Sequence, residues 1–160
     1  MLLPAIEASE HELLPWGVSF ARVLLVLVAV TVVEVGTILL ADPWQQLAAV
    51  RNAERTNHVN TIANAYYVRY AENRGRFLCD SGPVPLNPTP IQSEDGYHLA
   101  PCMVPEHLPE IPHDPGDPEA YYRSPEEYRS GYRWMQNAAS GRIVVLAPAA
   151  ELGATIQVER

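Results

Sequence analysis

The residues Val23 to Ala41, VLLVLVAVTVVEVGTILLA, form an apolar run interrupted by one charge, Glu34. Its nineteen positions, at about 1.5 Å each in a helix, cover most of a roughly 30 Å hydrocarbon core. Trp16, Val18, Phe20 and Ala21 extend the apolar surface at one end. A strand seldom runs this long without a turn, and lipid requires every backbone group to be paired within the segment. The run therefore reads as a membrane-spanning helix. After Asp42-Pro43-Trp44 there is no Pro or Gly until Gly75, so one long helix is expected from Gly17 to Asn73, half inside the membrane and half outside.

Glu34 lies where an ionised carboxylate costs roughly 2.5 to 3.5 kcal/mol on insertion scales, so it is expected to be protonated, partnered or turned toward another protein. The alternative is a helix offset so that Glu34 approaches a headgroup layer. Gly36, two residues on, permits close helix approach but is not part of a repeated small-residue motif. Pro43 at the membrane exit is expected to kink the rod or begin its first outside turn.

These features divide the chain into an N-terminal leader or cytoplasmic segment (1–16), a transmembrane helix (17–43), the exposed half of the long helix (44–75) and a head (76–160). The leader is acidic and lacks the basic region of a secretory signal, so cleavage as one is not expected. Arg22 on one side and Arg51 and Arg55 on the other leave the positive-inside rule undecided. The whole chain carries a formal charge of −8, which disfavours a nucleic-acid partner. All eleven basic residues are Arg, which excludes lysine Schiff-base chemistry, a lysine general base and a phosphate-loop lysine.

Within the exposed helix, Arg51 to His58 is polar nearly all round and reads as a solvated neck, whereas Val59, Ile62, Ala63, Tyr66 and Tyr70 form a stripe at helical spacing on which a head would pack. Gly75 stops the helix. The following segment, Cys79 to Pro118, is proline-rich, so its regular structure must be short; Tyr97 to Leu99 and Met103 to Leu108 supply apolar contacts. Gly131 to Gln136, Asn137 to Gly141 and Arg142 to Ala147 then read as strand, turn, strand, with Ala154 to Val158 as a third strand. The fold class is α+β: a long N-terminal helix packed on a small antiparallel sheet.

Cys79 and Cys102 both lie beyond the span. Paired, they would close a loop of about two dozen residues, stabilise the head by on the order of 3 kcal/mol and place it in an oxidising compartment; the alternative is two unpaired buried thiols. The cysteines and the nearest histidines, His98 and His107, do not form a structural zinc spacing.

The order of parts resembles type IV pilin-like proteins and the major pseudopilins of type II secretion. Carrying the resemblance are Arg51 to Ile62, Ala65-Tyr66-Tyr67, Tyr70, the Asn73-Arg74-Gly75 stop, Met103 to Pro115, and Gly131-Tyr132 with Arg142 to Ala147. It extends over about Val33 to Leu152 and departs from the family at the N-terminus, where Arg22 follows Gly17 at the position of the family's Glu. It implies a pilin-like fold and assembly with copies of itself or related subunits through the helix. The charge of Glu34 inside the span and the small Gly36 near it make these two the assembly residues, and the cysteine pair with the proline-rich head places the C-terminal side of this single-pass anchor outside the cytoplasm. Pseudopilin heads bind calcium, and Asp114, Asp117 and Glu119 are the candidate ligands here; the alternative is a solvated acidic surface, since their spacing matches no ion loop.

No catalytic constellation stands out among the scattered histidines and serines, so no enzyme and no cofactor is expected. Two function classes lead: a polymerising structural subunit, and a single-pass anchored binding domain that does not polymerise. Glu34 separates them, because only a polymer offers its charge a neighbour.

Overall fold

The computed structural model describes residues 19–40 and 42–160; the leader segment 1–16, the expected helix start at Gly17 and residue Ala41 lie outside the described residues. The chain divides into two compact units, the first ending at Pro43 and the second beginning at Trp44. In the first, helix α1 (Phe20–Leu40) holds the apolar run. Helix α2 (Pro43–Glu72) follows, so the single helix expected from Gly17 to Asn73 is two. The cause is local. A residue preceding proline is disfavoured in the helical region, Asp42 takes φ +37°, and Pro43 becomes the first residue of a new helix, where its missing N–H costs nothing.

The second unit is an α+β head. It contains α2, strand β1 (Thr89–Gln92), a single helical turn α3 (Ala100–Met103), and strands β2 (Tyr121–Ser124), β3 (Glu127–Gln136), β4 (Ile143–Ala147) and β5 (Ile156–Glu159). The sheet is antiparallel with order β1-β3-β4-β5, and β2 pairs with the start of β3. The sequence leads to β3, β4 and β5; it does not mark β1 or β2 as strands. Trp134 pairs with Thr89 on one side and Val145 on the other, which makes β3 the central strand.

Along β3, Tyr128, Ser130, Tyr132 and Trp134 alternate inward, as the two-residue period of a half-buried strand requires. They meet the α2 stripe, where Val59, Ile62, Ala63, Ala65 and Tyr66 are buried. Tyr70, expected in the same stripe, is 37% exposed and stacks on Tyr66 at 5.7 Å. Around Trp134 the rings of Tyr97, Phe77 and Tyr66 stand edge-on at 4.6, 5.7 and 6.3 Å. The proline-rich segment wraps this core with Leu99, Met103, Leu108 and Ile111 buried. A disulfide joins Cys79 to Cys102, with Cα atoms 5.3 Å apart, and ties the segment to the end of α2.

Candidate functional site

Helix α1 presents its apolar residues outward, from Phe20 through Leu24, Leu25, Leu27 and Val30 to Val35. Its two threonines turn inward on the backbone: Thr31 Oγ1 donates to the Val28 carbonyl at 2.9 Å and Thr37 Oγ1 to the Glu34 carbonyl at 2.8 Å. The hydroxyls are thereby satisfied by the helix itself, as lipid or a packed neighbour demands. The Glu34 carboxylate is exposed and has no hydrogen bond or ion pair among the described residues. By length and composition α1 is able to cross a membrane; a signal sequence passes the same test. Glu34 and Gly36 stand about 200° apart around the helix at about 100° per residue, so one neighbouring helix lying along one face does not meet both.

The head holds a second polar constellation, and it overturns the expected solvated neck. Arg55, in the middle of the supposedly solvated stretch, is 1% exposed. Its Nε donates to Asp114 Oδ2 and its Nη2 to Asp114 Oδ1, both at 2.8 Å, while Nη1 donates to Glu151 Oε2 at 2.6 Å and to Asn52 Oδ1 at 2.9 Å. Arg51 closes on the same Glu151 from above, Nε to Oε2 at 2.7 Å and Nη2 to Oε1 at 2.5 Å. Asn52 and Glu151 add a reciprocal pair, Asn52 Nδ2 to the Glu151 carbonyl at 2.8 Å and Glu151 N–H to Asn52 Oδ1 at 3.0 Å. Three parts of the head converge here: α2, the proline-rich segment and the β4–β5 connection. A buried guanidinium is tolerable because each of its three nitrogens donates to an oxygen, four hydrogen bonds in all.

Backbone supports the cluster. Asp114 Oδ1 also accepts from the N–H groups of Gly116 and Asp117, at 2.8 and 3.2 Å, and Asp114 N–H donates to the Ser130 carbonyl at 2.8 Å. A Cβ at Gly116 would stand 2.5 Å from Arg55 Nη2, and one at Gly131 would stand 2.9 Å from Asp114 Cβ. Glycine at these positions is what lets the chain close on the pair.

The electrostatics follow the geometry. Burial pushes the Asp114 carboxyl up, but the Arg55 fork and the two backbone N–H groups outweigh it and hold the group below its usual value. The hydrogen bonds of Arg51, then those of Arg55, hold Glu151 at about 2. Hydrogen bonding to Asp114 raises Arg55 further. Nearby, His58 Nδ1 lies 2.8 Å from the hydroxyl of buried Tyr132; burial lowers the imidazole, against the pull of Glu54 at 3.8 Å.

No family model, curated protein or solved structure matches the chain.

Of the calcium candidates, Asp114 is engaged by Arg55, and the Asp117 and Glu119 side chains do not join it in a cage. Asp117 accepts from the Glu119 N–H at 2.9 Å and Glu119 pairs with Arg129 at 2.6 Å. Among the described residues no group of three or more His, Cys, Asp or Glu is placed to hold a metal. The residue that sequence reasoning missed is Arg55. The available signal was its position: residues 48, 55, 59, 62 and 66 follow the helical period on one face, and Arg55 falls in line with the buried stripe.

Proposed function

We propose that this chain is a membrane-anchored structural subunit that assembles through α1 with copies of itself or related subunits, in the manner of a type IV pilin or a type II secretion pseudopilin. The observation that carries the reading is α1 itself: a helix with its apolar side chains exposed, its threonines satisfied internally and, at Glu34, a carboxylate with no partner among the described residues. Such a surface needs hydrocarbon or other helices around it, and a carboxylate within it needs a partner from another chain. The head is a disulfide-tied α+β unit, which supports an oxidising, extracytoplasmic location. Its role is structural rather than catalytic.

The test is photo-crosslinking in native membranes from a benzophenone side chain placed at position 27 of α1, since the absence of lysine rules out ordinary amine crosslinkers. The wild type is expected to yield multimers; Glu34→Leu is expected to insert as well or better but to lose them. Multimers unchanged in Glu34→Leu would remove Glu34 from the assembly. A wild type without multimers would favour a single-pass anchored binding domain.

A further inference from the structure

The head carries two charged features whose one ion pair among the described residues is the 3.8 Å contact of Glu54 with His58. The first is a groove of about 350 Å³ between α2 and residues 108–115, lined by Leu108 and three prolines together with Glu54, Glu110, His58 and His113. The Glu54 carboxylate is half exposed and lies 3.8 Å from His58 Nε2. Glu110 is exposed and makes no ion pair among the described residues. The second feature is the turn that ends α2, where Arg74 and Arg76 are both exposed, neither makes an ion pair among the described residues, and Leu78 just beyond is 49% exposed. Glu54 and the end of α2 at Glu72 are separated by roughly 27 Å of helix at 1.5 Å per residue, so the cations of this turn do not neutralise Glu54 of their own chain.

We propose that the groove receives the Arg74–Arg76 turn of a second copy of this chain. The chemistry is complementary on both counts: two guanidiniums meet two carboxylates, and Leu78 meets Leu108 and the prolines. Carboxylates beside apolar side chains suit guanidinium, whose planar fork pairs with them and whose weak hydration makes it inexpensive to bring against apolar surface. Because the two patches differ, the contact is heterologous, and it propagates from copy to copy in one direction instead of closing into a two-fold pair. A turn in a groove buries far less than the roughly 1,200 Å² of a stable interface. The contact therefore acts only between copies already held together in the membrane, where tethering raises the effective concentration; there it sets the polarity and register of neighbouring heads. This inference rests on the self-assembly reading above and names the contact between its heads.

The experiment uses the full chain in membranes with a benzophenone side chain at position 109 in the groove, beside the same probe at position 27 of α1 as a control. The groove probe is expected to give an inter-chain adduct that maps by mass spectrometry to residues 74–78. Arg74→Glu with Arg76→Glu should lower that adduct at least tenfold, and adding Glu54→Arg with Glu110→Arg should restore it. Recovery by the compensating pair also shows that the reversed heads fold. Groove adducts that map elsewhere, that ignore the charge reversal, or that stay lost in the fourfold variant overturn this contact while multimers at position 27 persist. Loss of multimers at both positions in the unmodified sequence overturns the contact and the assembly reading together.

Discussion

Arg55 and Asp114, 59 positions apart in the chain, share two parallel hydrogen bonds of 2.8 Å each, and both side chains are almost fully removed from solvent. A fork-to-carboxylate pair of this kind orients as well as attracts. It locks the end of the proline-rich segment onto α2 in one register, and Glu151 brings the β4–β5 connection to the same guanidinium. The head thus closes on a charged centre at one end and on an aromatic one, around Trp134, at the other.

Removing one partner strands the other in an apolar environment, so Arg55→Ala and Asp114→Ala should each destabilise the protein by about 3 to 5 kcal/mol. The double variant Arg55→Met with Asp114→Leu should cost less than either single change, because no charge is left unpaired. Urea unfolding of the purified protein, followed through its tryptophan fluorescence, measures all three. Equal costs for the singles and the double would mean that the site depends on shape and not on charge.

Acid should unfold the head through the same cluster. Asp114 and Glu151 are both held below their ordinary values when folded, so the stability they carry is complete above their unfolded values of about 4. It is lost as pH falls through the folded ones, down to about 2 for Glu151. His58, lowered by burial, adds an earlier step: the folded head favours neutral imidazole, so stability declines as pH drops below about 6.5. Denaturant midpoints between pH 8 and 2 should fall in these two windows, and His58→Phe should remove the first while leaving the second.

Two glycines with similar backbone angles separate conformation from contact. Gly131 and Gly141 take φ of +78° and +70°, but an added Cβ meets Asp114 at the first and nothing within 4 Å at the second. Gly141→Ala should therefore cost about 1 to 2 kcal/mol for the left-handed backbone alone. Gly131→Ala should cost measurably more and should lessen the extra loss on acidification, since Asp114 is displaced. Thermal unfolding at pH 7 and pH 3 compares them.

The packing face of α2 is tested by Ile62, fully buried, against Asn57, exposed on the same helix. Ile62→Ala should cost about 2 to 4 kcal/mol through lost burial and a residual cavity, and Asn57→Ala should change stability by less than about 0.5 kcal/mol. The same urea titration reads both.

What the sequence determined by itself is what short-range periodicity and composition carry. The apolar run of α1 needs no partner to be recognised, the Val59, Ile62, Ala63 and Tyr66 stripe repeats at the helical period, and the β3–β4 hairpin is bracketed by its own turn. Each is set by residues a few positions apart. Tertiary structure decided the rest, where the deciding partners are far along the chain. Arg55 sits among Asn52, Glu54 and Thr56, a context that reads as solvated, and becomes buried only because Asp114 and Glu151 arrive from 59 and 96 positions away. Strand β1 has prolines flanking and within it and no alternation to mark it; it is a strand because β3, forty residues later, offers it an edge. A charge or a short strand is stabilised by what faces it, and what faces it is chosen by the fold of the whole head.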